Sequence, residues 1–270
     1  MNEMEIFATS AARDAGALLK NLFSQKHTVD FKGDINIVTE ADKLSEELIV
    51  SKIAARFPTH DILSEESVKT DKGSDYCWII DPIDGTTNYA HGFPFFCVSI
   101  ALKVKNAVTL GVIYNPMLDE LFVATEGGGA RLNGSSITVS DTTLVQNSLL
   151  ATGFPYDIRV NNNNNITYFI EMAYRARAIR RAGAAALDLA YLAAGRFDGF
   201  WELRLHPWDV AAGQLLVREA GGIVTDMETN DFDIYAPAIV ASNAKIHDEM
   251  ISILKASSPF FEYHSVRIDE

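Results

Sequence analysis

The sequence predicts a mixed fold, with an α+β first half followed by an α/β second half. Three observations carry that prediction. Two helix-period segments precede a series of strand-like runs. Strand and helix patterns then alternate to the end. And 48% hydrophobic with 22% charged residues over 270 positions supplies enough apolar material for a sizeable core. The change of pattern divides the chain into an N-terminal subdomain, 1–140, and a C-terminal one, 141–270.

In residues 5–23, Ile6, Ala11, Ala15, Leu18, Leu19 and Leu22 return at roughly helical spacing. Residues 41–57 place Leu44, Leu48, Ile49 and Ile53 on one helical face, with Thr39 as the expected N-cap and Asp42 three positions on. β-Branched and aromatic runs between turn signals mark strands at 61–64, 76–80, 96–104, 107–114 and 120–125. Asn133-Gly134 is a hairpin signal, followed by an alternating strand at 137–139. The first half therefore reads as a largely antiparallel sheet flanked by two helices. Beyond it, strand-like runs at 149–152, 197–201, 222–225 and 239–241 alternate with helical ones at 165–178, 184–195, 209–220 and 244–255. The asparagine run at 161–165 reads as a solvated loop, and the tail at 260–270 carries no functional signal.

A formal net charge of −13 argues against a nucleic-acid partner, which would select a basic field. A small phosphate remains compatible if metal ions supply positive charge. The two cysteines, Cys77 and Cys97, sit apart in apolar runs and make neither a disulfide framework nor a zinc site. The acidic first residues hold no signal-peptide core, and no apolar run is long enough to span a bilayer. The expectation is a soluble cytoplasmic protein with no membrane association.

The most informative segment is Trp78-Ile79-Ile80-Asp81-Pro82-Ile83-Asp84-Gly85-Thr86-Thr87-Asn88. An apolar strand ends in Asp81, and Pro82 stops ladder bonding. Two carboxylates at the end of a buried strand repel unless a cation lies between them. Hard oxygen donors at this density suit Mg²⁺, Mn²⁺ or Ca²⁺ rather than zinc. Gly85 allows close backbone approach, and the N–H groups of Gly85 and Thr86, opening a helical turn, would hold an anion. Taken alone, the segment also reads as a polar turn with Asx-type capping. Glu65 and Glu66 alone read as a solvated loop, and Asp209 as a first-turn carboxylate favoured by the helix dipole.

As an ordered set these segments closely resemble the inositol monophosphatase family. The strongest pieces are Asp81 to Asn88, continuing to Pro94, and Trp208-Asp209-Val210-Ala211-Ala212-Gly213, running on to Gly222. Val38 to Asp42, Ser64 to Ser67 and the Gly127–Gly134 hairpin support them in the family's order. The resemblance implies a layered αβαβα sandwich of the sugar-phosphatase type, with the active site between two subdomains. It implies that Glu65, Asp81 and the carbonyl of Ile83 hold one metal, and that Asp81, Asp84 and Asp209 hold a second. A third, weaker ion would lie near Glu65, so two to three Mg²⁺ are expected, with Mn²⁺ as an alternative. Thr86, paired with Asp42, is implied to position and activate the attacking water, and Glu66 to give support from behind. Two metals about 4 Å apart would clamp the attacking and leaving oxygens, so positioning and charge neutralisation carry the chemistry.

The stretch Arg180 to Ala186 resembles the family segment whose backbone contacts the alcohol part of the substrate, which assigns Gly183, Ala184 and Ala185 to substrate, and Glu202 to its hydroxyls. Gly85, Thr86 and Asp209 join them around the phosphate and the substrate. Many relatives carry threonine where this chain has Ala184, which weakens the expectation of inositol itself. Arg180 and Arg181 read either as solvated charges or as partners for a second phosphate. His91 and His206, beside motif segments, read as structural. The expected activity is Mg²⁺-dependent hydrolysis of a small phosphorylated metabolite, inositol monophosphate foremost. Alternatives are the 2′-phosphate of NADP, fructose 1,6-bisphosphate or a 3′-phosphoadenosine nucleotide. A non-catalytic regulatory protein that keeps the fold is the alternative of another class. A P-loop enzyme is disfavoured because no Gly-rich Lys-Ser/Thr motif is present. The resemblance also implies a homodimer and inhibition by lithium.

Overall fold

The computed structural model describes residues 3–23, 29–31, 37–66, 69–161 and 164–257, with 29–31 and 37–39 described as backbone alone. Helix α1 (Glu3–Phe23) buries Ala8, Ala11, Ala12, Ala15 and Leu19, while Ile6 stays 55% exposed. The buried face is thus built from small residues rather than from the larger apolar ones the periodicity favours, and it lies close against the sheet. A short antiparallel pair, β1 (Val29–Phe31) and β2 (Ile37–Thr39), follows and leads into α2 (Glu40–Arg56). The side chain of Thr39, the expected cap, lies outside the described residues, as does the tail beyond 257.

Seven strands form the large sheet in sequence order: β3 (Asp61–Ser64), β4 (Tyr76–Asp84), β5 (Cys97–Val104), β6 (Ala107–Asn115), β7 (Glu120–Thr125), β8 (Gly129–Leu132) and β9 (Ser135–Ser136). Only the β3–β4 pair is parallel. Asn133 and Gly134 make the expected turn, but the strand ends at Ser136. Residues 137–139 join no strand: Ile137 donates to the Ala130 carbonyl of β8 (3.0 Å), and Val139 to the Ala220 carbonyl (3.1 Å).

Period-two alternation splits this sheet between two cores. Val98, Ile100 and Leu102 of β5 face α1 and α2, together with Ile49 and Ile53. Cys97 and Ala101 face the opposite way, toward helices α5 (Ala185–Ala193) and α6 (Pro207–Glu219). All nine residues of α5 are buried, because a second sheet covers its far side. That sheet has the order β11 (Ala178–Arg180), β10 (Leu149–Thr152), β12 (Gly199–Leu203), β14 (Ala238–Ser242), β13 (Ile223–Thr225). Strand β10 runs parallel to β11 and β12, and the β12–β14 and β13–β14 pairs are antiparallel. Phe200 and Ala241 face α5 and α6. Trp201 and Val240 face α4 (Ile166–Ala173) and α7 (His247–Ala256). The layers are therefore α, β, α, β, α, as the resemblance implied. A short α3 (Thr86–Ala90) and a 3-10 turn at Val145–Asn147 complete the described elements.

Helix α4 stops at Ala173, where a helix to 178 was expected, and β11 was not foreseen. The asparagine run is also more than a solvated loop. Asn165 is fully buried: its Nδ2 donates to Thr152 Oγ1 (2.7 Å), and its Oδ1 accepts from Trp201 Nε1 (2.6 Å). It ties the end of β10 to β12. Among the described residues no helix is long and apolar enough to cross a membrane.

The α6 layer approaches the large sheet at Gly111, where a Cβ would lie 2.7 Å from the Ala212 carbonyl oxygen and 3.0 Å from its Cα. These are backbone atoms of a buried helix and cannot step aside. Gly111→Ala is expected to cost about 1–3 kcal/mol of stability, read as a lowered urea midpoint at unchanged m-value.

Candidate active site

Strand β4 departs from regular pairing where the site begins. Asp81 pairs with Ser99 and Asp84 with Cys97, so one extra residue bulges between them, at Pro82 and Ile83. Proline has no N–H to lose there. Residues three apart on a regular strand point to opposite faces; the bulge lets Asp81 and Asp84 line one cavity. The strand continues to Asp84 instead of ending at Ile80. Gly85 follows at φ +95°, a left-handed value suited to glycine, and turns the chain into α3.

Helix α2 organises this segment from behind. Asp42, Ser45 and Glu46, at helical spacing i, i+3 and i+4, form a buried polar face. Asp42 Oδ1 lies 3.3 Å from Thr86 Oγ1, which is also 3.0 Å from the Ile83 carbonyl. Ser45 donates to the Pro82 carbonyl (3.0 Å). Glu46 Oε2 accepts from Ser64 Oγ (2.7 Å) and from the Glu66 N–H (3.0 Å), which holds the chain on both sides of Glu65. Ser45 and Glu46 were missed in the sequence. Their signal was polar residues on the helix face that should have been apolar, while Leu44 is exposed.

The second half supplies the opposite walls. Asp84 Oδ1 accepts from the N–H of Ala185 (3.1 Å), and Oδ2 from those of Ala186 (2.7 Å) and Leu187 (3.3 Å), so the carboxylate caps α5 across more than a hundred residues. Asn88 Nδ2 bridges the carbonyls of Phe95 (2.7 Å) and Ala182 (2.8 Å). Asp209 Oδ2 accepts from the His206 N–H (2.7 Å), closing a capping box at α6. It therefore caps its own helix, the simpler reading of its position, and also lines the cavity. Glu202, on β12, packs so tightly on Gly153 that a Cβ there would fall 2.1 Å from Oε1.

One cavity of about 270 Å³ gathers Glu65, Asp81, Ile83, Asp84, Gly85, Thr86, Gly183, Ala184, Ala185, Glu202 and Asp209. Of the residues singled out, Asp42 lies outside the lining, fully buried beneath Thr86. Arg181 lines the cavity; Arg180 is exposed and does not. His206 lies on the rim, stacked on Trp208 at 4.8 Å between ring centres. The cavity lies outside the carboxyl ends of two parallel strand pairs, β3–β4 and β10–β12, where open sheets present their ligand crevices.

The acids crowd one another. Burial holds the Asp81 carboxyl well above the usual range, and Glu65, Asp84, Asp209 and Asp42 push it in the same direction. Burial raises Asp84 to about 6, against the stabilising N–H bonds of Leu187, Ala186 and Ala185. Asp209 is raised by burial and by Asp84. Burial, then Asp84, lifts Glu202 to about 8. Among the described residues no lysine or arginine forms an ion pair with Asp81, Asp84 or Asp209, and Arg204, on the rim, pairs with Asp157. Four oxygen-donor acids short of positive charge fit a hard divalent cation. Among the described residues no three acidic, histidine or cysteine groups already stand at ligating spacing, and the oxygens of Asp84 and Asp209 are engaged with backbone N–H groups.

A stability signature follows. Asp84 and Glu202 have folded pKa values near 6 and 8 against 3.8 and 4.5 unfolded, so the fold binds these protons more tightly than the open chain does. Their contribution is greatest in acid and is lost as pH rises through those values. The Tm of EDTA-treated protein is expected to fall between about pH 5 and about pH 8.5, and Mg²⁺ to raise it more at the upper end. Differential scanning fluorimetry checks both slopes; a metal-free Tm that rises with pH would contradict the assignment.

An αβαβα sandwich with an acid-lined cavity at the strand ends is the arrangement that the resemblance to a phosphatase family implied. The sequence pattern of the inositol monophosphatase family matches residues 1–258. The chain is 43% identical over 260 residues to an inositol-1-monophosphatase of Synechocystis sp., covering 96% of this chain and 91% of the relative. It is 41% identical over 266 residues to Nus factor SuhB of Pseudomonas aeruginosa, covering 96% and 98%. The solved inositol monophosphatase of Anabaena (Nostoc) sp. superposes with a TM-score of 0.87 at 43% identity, covering 95% of this chain and 97% of that one. The chain belongs to the inositol monophosphatase family and is a phosphoric monoester hydrolase.

Proposed function

We propose that the protein hydrolyses a small phosphate monoester, inositol monophosphate foremost, with Mg²⁺ held by its acidic cluster. The observation that carries this reading is the meeting of Glu65, Asp81, Asp84 and Asp209 with the Thr86–Asp42 pair around one cavity. Glu65, Asp81 and the Ile83 carbonyl would hold one ion, and Asp81, Asp84 and Asp209 a second, with room for a third near Glu65 and Mn²⁺ as a substitute. When bound, the metal supplies positive charge against the phosphate and makes water easier to deprotonate. The chain's own residues set geometry. Thr86 Oγ1 accepts from the attacking water while its own proton is directed to Asp42, which fixes the water's orientation. The N–H groups of Gly85 and Thr86 receive phosphate oxygens. Gly183, Ala184, Ala185 and Glu202 face the alcohol. At about 270 Å³ the cavity falls just below the range typical of drug-sized ligands, roughly 300 Å³ upward, which favours a compact alcohol.

A second reading keeps the chemistry and changes the alcohol to a nucleotide. It is favoured by the aromatic rim of Phe154, Tyr156 and the stacked His206–Trp208 pair. The name Nus factor carried by one relative raises a regulatory role as well; the complete acidic set argues for catalysis here.

The test is phosphate release with Mg²⁺ on inositol 1-phosphate, glycerol 2-phosphate, fructose 1,6-bisphosphate, NADP and 3′-phosphoadenosine 5′-phosphate, with EDTA as control. Mg²⁺-dependent turnover fastest on inositol 1-phosphate supports the first reading, and fastest turnover of a nucleotide supports the second. Mg²⁺ binding without turnover of any substrate would favour the regulatory role. Lithium inhibition and a homodimer by light scattering are further expectations of the same reading.

A further inference from the structure

Asp188 sits on α5, one turn beyond the Asp84-capped N-terminus. A first-turn aspartate ordinarily faces solvent, where the helix dipole favours it. This one is 1% exposed and lines the cavity. Its Oδ1 is buried without any hydrogen-bond partner, a condition that few polar atoms in folded proteins tolerate. No residue of the acidic cluster requires it, and the resemblance assigns it nothing.

Its surroundings say what would complete it. Glu202 and Arg181 line the same part of the cavity, and Arg181 is the positive charge that opposes the upward shift of both acids. Gly153 leaves Glu202 space that any side chain would take. Together these groups offer two carboxyl groups with acceptor oxygens and one cationic donor on the alcohol side, away from the Thr86–Asp42 pair. An alcohol with several hydroxyls can donate to both acids at once. An alcohol without hydroxyls would leave the cavity-facing carboxyl oxygens of both acids desolvated and unpaired in the complex.

We propose that Asp188 is a specificity-determining residue, whose carboxyl group accepts a hydroxyl of a polyhydroxylated alcohol beside Glu202. The proposal rests on the phosphatase reading above and narrows its substrate to cyclitol- or sugar-like monoesters.

The experiment compares kcat/KM on inositol 1-phosphate, rich in hydroxyls, with that on phenyl phosphate, which has none, for the full chain with Mg²⁺. Asp188→Ala is expected to lower the ratio of the two by about 10- to 100-fold, mainly through KM for inositol 1-phosphate. Asp188→Asn, which keeps one acceptor, is expected to recover part of that ratio. A structural role would lower both substrates in parallel, and such a parallel loss, or an unchanged ratio in both variants, overturns the proposal. Wild-type protein that hydrolyses neither of these but releases phosphate from NADP or 3′-phosphoadenosine 5′-phosphate overturns the proposal alone, and wild-type protein that hydrolyses nothing on the whole panel overturns the phosphatase reading and the proposal with it.

Discussion

Asp84→Asn is expected to lower kcat on the order of a thousand-fold, equivalent to about 4 kcal/mol of transition-state stabilisation. The size follows from the two positions the side chain occupies at once. It belongs to the acidic set that would hold metal, and its two oxygens receive three N–H groups of α5, the helix whose first turn would form the substrate wall. Asparagine offers one oxygen and turns an NH₂ group toward donors that need an acceptor. Charge and wall position are therefore disturbed together. The measurement is kcat at saturating Mg²⁺, paired with the Mg²⁺-induced rise in Tm. Both are expected to collapse, while the far-UV circular dichroism stays that of the wild type. A variant that keeps a tenth of its activity would remove Asp84 from the metal set.

Thr86→Val is expected to lower kcat by roughly a hundred-fold or more, with KM little changed. The substitution is close to isosteric and removes only the hydroxyl that joins the Asp42 and Ile83 oxygens. Substrate binding draws on other groups, so the loss belongs in the chemical step. Thr86→Ser, which restores the hydroxyl, is expected to recover most of the rate. Equal losses in kcat for the serine and valine variants would assign Thr86 to packing instead of water positioning.

The legibility of the fold was uneven for physical reasons. Long apolar strands such as 97–104 and 107–115 announced themselves because alternation there serves two cores. The three-residue β11 did not, since so short a strand shows no period and takes its ladder from β10. Residues 137–139 showed the alternation of a strand, yet only Ile137 bonds to β8, at the Ala130 carbonyl, and Val139 turns to Ala220. In the site, segments with unusual local composition were readable: Asp81 to Thr86 joins carboxylates, a proline and a glycine in six positions of turn chemistry. Residues whose role lies in a distant contact were silent. Asn165 looked like one more member of a low-complexity run, yet it is a fully buried bridge between β10 and β12. Asp188 carries no mark in its helical run, and only burial against another part of the chain sets it apart.

The acidic set is drawn from positions 65 to 209, and Asp84 finds its N–H partners only in residues 185–187. During synthesis on the ribosome the large sheet can be complete while α5 and α6 are still unmade. Its inner face, with Phe122 and Ile113, then has no cover. The nascent chain therefore passes through a stage with the carboxylates of β4 already clustered, an apolar sheet face open and no catalytic capacity. Docking of α5 and then of α6 closes all three conditions: together they cover the sheet, α5 gives Asp84 its donors, and α6 brings Asp209 into the acidic set. Activity is thus a property of the finished chain, and a truncation before α6 yields an aggregation-prone sheet, not a weak enzyme.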